Sequence, residues 1–383
     1  MKKARPILII IAIIVFIMGV FIYTDNEKQE TNKNISEVKG RVLEVNNNEV
    51  VQSGLSRIGH QDIKVEILEG KYRGKIIDGY SNLIGKLDID TFVERDDKII
   101  IAIMEKDNEI RDAVVVEHYR KDWLLAMFGI FVFCLIVYAK FVGIKALFSF
   151  VASLFIIWKF LVPGLLAGKN PLVLSVLILM LLSGIIIFSI AGFTKKGFSA
   201  FIGTIIGLLI TIVITVFFGE KLGLNGMTAP FSETLVFSGH LDLNMKHILY
   251  AAIIIGASGA AMDIAMDVSA SMAEIKIKKP DITTKELIQS GFNIGRAVIG
   301  TMTTTLLLAY SGGYLTLLML FMTKNSSFVR IINLKIVAAE IMRTVVGSIG
   351  LVLVAPITAI FAGWILQREF KIRKEVSTRY FLF

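Results

Sequence analysis

Acidic and small residues share one face of an apolar segment near the middle of the C-terminal half. Gly256, Gly259, Asp263, Asp267 and Glu274 follow one another at steps of three, four, four and seven residues. Those steps place all five along one side of an α-helix. A carboxylate in hydrocarbon is costly and normally faces a protein interior or a water-filled path. The spacing therefore predicts a polar seam inside a helical bundle, able to bind a cation or pass a proton or small solute.

Two later apolar segments supply further polar and small residues at helical spacing. We expect these three segments to pack together, because small residues let helices approach closely and hydroxyls hydrogen-bond across the contact. The candidate path residues are Asp263, Asp267, Asn293, Arg296, Thr301, Thr304, Thr305, Glu340 and Arg343, and the candidate packing residues are Gly256, Gly259, Gly300, Gly347 and Gly350.

The charged residues of these segments admit two interpretations. In the first, they form a buried ion-pair network that fixes the packing and performs no chemistry. In the second, Asp263 and Asp267 bind a cation or carry protons, while Arg296 and Arg343 pair with acids or receive an anionic group. Acids outnumber arginines here, which favours the second interpretation. Glu274 lies near the end of its segment, where a solvated acid is ordinary.

Catalytic alternatives are disfavoured by what surrounds the candidate nucleophiles. The string GASG at residues 256–259 matches one found in intramembrane serine proteases, but a serine nucleophile needs a base. No histidine lies within another apolar segment. Asp263 and Asp267 share one helix, whereas an intramembrane aspartyl protease draws its two acids from different helices. With no phosphate-binding or zinc-protease motif, we expect no enzymatic activity and no cofactor.

A metal site is considered at three residues that precede the acidic segment. Two imidazoles and a carboxylate, from His240, Asp242 and His247, would suit zinc. Their spacing matches no established zinc motif, and neighbouring histidines in a loop are usually solvated. We expect no metal there.

Composition defines the class of protein. The chain has 383 residues, 55% of them hydrophobic, and a mean hydropathy of +0.70, which is typical of a membrane protein. Eight apolar runs are each long enough to cross about 30 Å of hydrocarbon. They are Ile7–Tyr23, Trp123–Ala139, Ala146–Leu166, Pro171–Ala191, Phe198–Gly219, Ile248–Ile275, Ala297–Met322 and Ile336–Leu366.

The basic residues predict the orientation of these spans. Net charge is +9, and Lys and Arg concentrate in alternate loops and at both termini, which indicates cytoplasmic N- and C-termini. The exception is the loop Thr323–Lys335, which carries three basic residues on the opposite side. We interpret the basic excess as positive-inside orientation and contact with anionic lipid, and we expect no nucleic-acid partner.

The sequence divides into four parts. Residues 1–23 form an anchor helix, since the apolar run is long for a cleaved signal peptide and lacks a cleavage site. Residues 24–122 form a small β-domain, residues 123–366 a seven-helix membrane domain and residues 367–383 a basic cytoplasmic tail. A capping box at Thr283–Glu286 predicts a short helix in the loop after the acidic segment.

The segment 24–122 has the pattern of a small barrel outside the cytoplasm. Its β-branched runs RVLEV, IKVEI, KIIIAIM and DAVVVEHY are separated by Asn-, Asp- and Gly-containing turns. About five short strands suit an OB-like barrel. Because few exposed aromatics accompany them, we favour a structural or partner-binding role over oligonucleotide binding.

The last three segments resemble the YibE/F-like family of bacterial multi-pass membrane proteins. The resemblance is carried by the strings Gly256–Ile275, Asn293–Gly313 and Glu340–Ala359, and more weakly by Val65–Lys75. It implies a membrane architecture and a bacterial cell membrane as the location. It fixes neither substrate nor mechanism.

The sequence thus predicts an α-helical polytopic membrane protein with about eight transmembrane helices and an OB-like β-domain after the first helix. We expect a transporter or channel-like protein that moves a small ion or solute between the last three helices. The alternative is a non-catalytic membrane scaffold or assembly factor whose β-domain binds an extracytoplasmic protein.

Overall fold

The computed structural model describes residues 35–106, 109–323 and 327–368. Contacts within the chain divide it into two compact units, one ending at Lys140 and the other beginning at Phe141. The N-terminal apolar run and nearly all of the basic C-terminal tail lie outside the described residues. The predictions of an anchor helix and a cytoplasmic tail therefore stay predictions.

The first unit contains a closed five-stranded barrel. The strands are β1 (Ile35–Ser53), β2 (Ser56–Ile67), β3 (Ile76–Ile84), β4 (Lys98–Lys106) and β5 (Glu109–His118), in the order β1-β2-β3-β5-β4. Neighbours pair antiparallel, except β3 and β5, which are parallel. This is the five-stranded barrel that the sequence predicts, with the OB type of strand order.

Alternation along the strands produces the barrel core. In β2, Ile63, Val65 and Ile67 point inward and are buried while the residues between them face outward, as the two-residue period of a strand requires. Gln61 is also fully buried and is satisfied by hydrogen bonds to both backbone groups of Val93.

Ten helices follow the barrel in the described part of the chain. A π-helical turn, Ile157–Leu161, joins the first two. The helices are α1 (Lys121–Ile156), α2 (Val162–Leu166), α3 (Pro171–Ala191), α4 (Lys195–Lys221), α5 (Ser232–Phe237), α6 (Met245–Lys278), α7 (Thr284–Gly313), α8 (Leu315–Thr323), α9 (Phe328–Ile332) and α10 (Lys335–Gln367).

Seven of the eight predicted spans fall within the described residues, two of them in one helical stretch. Within the described residues, five helices are long and apolar enough to cross a membrane, and α7 with α8 makes a sixth if that pair, bent by 66°, is one span. Two predicted spans fall in the helical stretch Lys121–Leu166, which consists of two helices that meet at a kink. Its backbone departs from helical geometry at Lys140, where φ is 48° and ψ is −124°.

The capping box forms, but the helix it opens is longer than expected. Thr283 accepts a hydrogen bond from the Glu286 backbone, and the Glu286 carboxylate accepts one from the Thr283 backbone. The helix then continues through Gly313 without interruption. The prediction of a separate short helix is therefore wrong, since no breaker follows the cap.

The second unit is a helical bundle centred on α6, which contacts α3, α4, α7 and α10. Helix α10 runs parallel to α6, as shown by a hydrogen bond between their C-terminal ends: Lys276 Nζ donates to Gln367 Oε1 at 2.7 Å. Helix α4 runs the opposite way, because Glu220 near its end pairs with Lys246 at 2.7 Å. We refer to the two ends of the bundle as the Met245 end and the Lys278 end.

Small residues bring α4 and α10 into close contact. A Cβ on Gly203 would overlap Thr358, and one on Gly207 would overlap Val354; a Cβ on Gly350 would overlap Thr211. The four-residue spacing on both helices places these contacts along one line. This close contact fixes the position of α10 against α4. Helix α10 also packs against α6 and α7.

Candidate functional site

The acidic stripe of α6 lies on the side of the helix that the described chain leaves uncovered. Asp263 and Asp267 are exposed, whereas Ile264 and Val268, which point about 100° further round the helix, are fully buried. Gly259 is exposed on the same stripe, with no atom within 4 Å of a Cβ placed on it. Within the described residues this side of α6 is a polar face, and the predicted seam enclosed between helices stays a prediction.

Helix α7 crosses beside this face and runs antiparallel to α6. A Cβ on Gly291 would lie 2.5 Å from Met272 Sδ, and one on Gly295 would lie 3.9 Å from a methyl group of Val268. Moving four residues forward along α7, from Gly291 to Gly295, therefore corresponds to moving four residues back along α6, from Met272 to Val268. Continuing that register places Arg296 at the depth of Asp267 and Gly300 at the depth of Asp263.

Although Arg296 and Asp267 lie at the same depth, they do not form an ion pair within the described chain. Arg296 is exposed, and its Nη1 lies 3.5 Å from Asn293 Oδ1 on its own helix. In the described ranges, no lysine or arginine is within ion-pair distance of the carboxylate of Asp263 or Asp267. Among the described residues, this face carries two acids and one arginine that have no ion-pair partner.

Threonines extend the polar face along α7. Thr301 donates its hydroxyl to the Val298 carbonyl at 3.0 Å, and Thr305 donates to the Thr301 carbonyl at 3.1 Å. Both side chains are exposed, as is Thr304. Because the bonded hydroxyls give their protons to the helix, their lone pairs remain able to accept a hydrogen bond or face a cation.

A second polar cluster lies towards the Met245 end. Glu340 and Arg343 of α10 are half-buried and form an ion pair of 3.7 Å one turn apart. Arg343 Nε is buried without a hydrogen-bond partner among the described atoms. Close by, Tyr314 Oη and Thr344 Oγ1 are 3.1 Å apart, which ties α10 to the bend between α7 and α8.

The acids of α6 and the Glu340–Arg343 pair of α10 lie at different depths along the bundle axis. A Cβ on Gly347 would lie 3.7 Å from Ala257 Cβ, which sets the register of α10 against α6. Arg343 is then about ten residues, or about 15 Å, from the depth of Asp263. Arg343 pairs with Glu340 on its own helix and not with the α6 acids. Its other predicted role, receiving an anionic group, stays a prediction.

The predicted packing glycines divide into two groups. Gly256 and Gly347 border the Tyr310 hydroxyl, which a Cβ on them would approach to 3.5 and 3.4 Å, and Gly350 packs on α4. Gly259 and Gly300 have no neighbour within 4 Å of a Cβ in the structure. Sequence analysis missed Gly203 and Gly207 of α4, although their four-residue spacing, continued by Thr211 and Thr215, is the signal of a packing face.

The three residues considered for a metal do not assemble. Asn244 Nδ2 is 3.1 Å from His247 Nδ1, so the imidazole has an amide neighbour. Across the described ranges, no group of three or more His, Cys, Asp or Glu side chains is placed to hold a metal ion. A cleft of about 550 Å³ lies nearby, at the Met245 end, and the Glu220–Lys246 ion pair forms part of its wall. None of the predicted path residues lines this cleft.

The fold and the polar face define a multi-pass membrane protein. Residues 127–368, more than half of the chain, match the family described as YibE/F-like protein, and the chain belongs to that family. The match begins beyond the barrel, so the weaker resemblance at Val65–Lys75 lies outside it. No curated protein and no solved structure matches the chain.

Proposed function

We propose that the protein moves a small cation or protons across a membrane along the polar face of α6 and α7. The observation that carries the proposal is the position of Asp263 and Asp267 within α6. Asp263 is about 27 Å from Met245 and about 22 Å from Lys278 along the helix axis, so both acids belong to the middle of a helix of membrane length.

The energetic argument follows from that depth. An ionised aspartate at the centre of a membrane helix costs about 2.5–3.5 kcal/mol even on insertion scales that allow relaxation. Two such residues on one face make lipid contact unfavourable. The acids therefore face protein or water and are neutralised by a proton, a bound cation or Arg296. A reversible proton or cation is what a transport path requires.

The proposed topology places the Lys278 end in the cytoplasm of a bacterium. Five lysines lie at this end, which is the pattern of cytoplasmic loops: Lys195, Lys196, Lys276, Lys278 and Lys279. The break at Lys140 would divide the stretch Lys121–Leu166 into two crossings. With Ile7–Tyr23 as an anchor, this gives eight crossings, cytoplasmic termini and an extracytoplasmic barrel. No catalytic step is proposed.

Flux through the purified protein tests the proposal. The full chain is reconstituted in liposomes, and uptake of protons, Na⁺ and K⁺ is measured with ion-sensitive dyes. Asp263→Asn and Asp267→Asn are each expected to reduce flux at least tenfold. Glu274→Gln is the matched control, because Glu274 shares the stripe but lies near the helix end, 4.0 Å from Lys278. Full flux in both aspartate variants would reject the proposal.

A second candidate function, a membrane scaffold, is favoured by an apolar patch on the barrel. Ile58 of β2 is flanked by Val51 of β1 and Ile84 of β3 at paired positions, and all three are exposed. Leu55 and Leu87 on the adjoining turns are 87% and 69% exposed. An apolar patch of this kind on a soluble surface is typical of a protein-binding site.

Complementation of a deletion strain separates the two functions. A scaffold is expected to lose function in Ile58→Asp and Leu87→Asp and to keep it in Asp263→Asn. A transporter is expected to show the reverse. Ile76→Asp is the matched control, because Ile76 is 63% exposed at the opposite end of β3 from the patch.

A further inference from the structure

The open polar face of α6 needs a cover that brings positive charge. We propose that a second copy of this chain supplies it, about a two-fold axis along the membrane normal, with Asp267 of each copy paired to Arg296 of the other. This inference rests on the proposed function, since it completes the same site. It makes the functional unit a dimer.

Two further apolar segments of the chain would bring no positive charge to the face. These are the apolar runs at residues 7–23 and 123–139, each long enough to cross a membrane. Neither contains a lysine or an arginine. Packed there, they would add no positive charge to a face on which acids already outnumber arginines, which is a costly arrangement for buried acids.

A second copy has the required charge at the required depth. Rotation about an axis along the membrane normal leaves the depth of every residue unchanged. Arg296 and Asp267 lie at one depth on adjacent, antiparallel helices, and neither has an ion-pair partner in the described chain. A two-fold interface repeats each contact, so it forms the pair twice.

The surface between these charges suits close helix contact. Gly259 follows the same stripe of α6 as the acids, Gly300 of α7 lies at the depth of Asp263, and both are exposed with open space where a Cβ would be. Small residues at this depth allow the backbones of two membrane helices to approach closely. The surface beside the charges thus leaves room for the backbone of another helix.

The charge balance connects the dimer to the proposed path. Each copy contributes two acids and one arginine to the interface. Pairing Asp267 with Arg296 leaves the carboxylate of Asp263 uncompensated in each copy. That carboxylate, at the depth of Gly300, is the group that binds the transported cation or proton.

Charge exchange across the proposed pair provides the test. The mass of the full chain is measured by light scattering in mild detergent, after correction for bound detergent, and cross-linking is measured in native membranes. Wild type is expected to give twice the 42.4 kDa of one chain. Asp267→Arg and Arg296→Asp are each expected to shift the protein to monomer, because each places like charges together. The double exchange is expected to restore the dimer.

The outcomes are distinct for assembly and for transport. Asp281→Arg, a charge reversal on an exposed loop residue, is the matched control and should remain dimeric. A monomeric wild type in both preparations, or single variants that stay dimeric, would overturn the dimer while leaving flux through Asp263 to stand. A dimer restored by the exchange, with flux insensitive to Asp263→Asn, would reject the transport function and retain the dimer.

Discussion

Asp267 of α6 and Arg296 of α7 lie at the same depth of the bundle on neighbouring helices, yet they do not pair. The contacts of Gly291 with Met272 and of Gly295 with Val268 establish that register. When opposite charges lie at equal depth in a membrane protein without contact, neither charge has an ion-pair partner to offset the cost of removing it from water. The proposed path and the proposed dimer both follow from this relationship.

The packing of α4 on α10 predicts a strong effect of enlarging Gly207. Gly207→Leu is expected to destabilise the bundle by about 1–3 kcal/mol or more, because the added side chain must displace Val354 of α10. The measurement is the melting temperature of the detergent-solubilised chain. Gly129→Leu is the control, since Gly129 has no neighbour within 4 Å of a Cβ; equal melting temperatures for both variants would contradict the account.

The Glu340–Arg343 pair is expected to be structural. Glu340→Gln leaves a half-buried arginine without its partner and is expected to cost about 1–3 kcal/mol. Replacing both residues by glutamine should cost less than the single change, since no unpaired charge remains. Thermal stability and liposome flux are measured together. Loss of ion selectivity without loss of stability in Glu340→Gln would place the pair in the path instead.

Inside the barrel, Gln61 is expected to be hard to replace. Gln61→Leu leaves the N–H and the carbonyl of Val93 without their partners and should cost about 1–3 kcal/mol. Hydrogen–deuterium exchange of the full chain should show faster exchange at Val93. Gln52→Leu provides the comparison, because Gln52 is exposed; unchanged exchange in Gln61→Leu would show that these bonds do not hold the barrel together.

The barrel is also expected to lose stability in acid through Glu44. The hydrogen bond and charge of Lys64 hold the pKa of Glu44 below its usual value. A carboxyl with a lowered folded-state pKa contributes stability above its unfolded pKa and loses it as pH falls through the folded value. The barrel melting temperature should therefore fall less between pH 7 and pH 3 in Glu44→Gln than in wild type. Identical slopes would mean that the pair contributes nothing.

Sequence patterns predicted the elements that depend on local periodicity. The buried strands of the barrel follow from β-branched alternation, and the acidic stripe of α6 follows from steps of three and four residues. The capping box at Thr283 was also predicted from the sequence and is present in the structure. These features depend on neighbours within a few positions, which a sequence displays directly.

Features set by tertiary contacts could not be predicted in the same way. The sequence gives no reason to expect that Arg343 lies about 15 Å from the depth of Asp263, since that follows from the register of α10 against α6. Nor does a polar stripe reveal whether another helix covers it. The described chain leaves Asp263 open, and only the contacts of α7 show which residue of that helix shares the depth of Asp267.

Chemical accessibility of position 263 tests the central claim most directly. In a Cys134→Ser background, Asp263→Cys is treated in native membranes with a charged, membrane-impermeant thiol reagent. We expect modification, because a polar path at mid-membrane depth admits water and ions. Val213→Cys, on an exposed apolar position of α4, should stay unmodified. The proposed path would be contradicted if Asp263→Cys does not react under conditions that label Glu274→Cys, a variant near the end of the same helix.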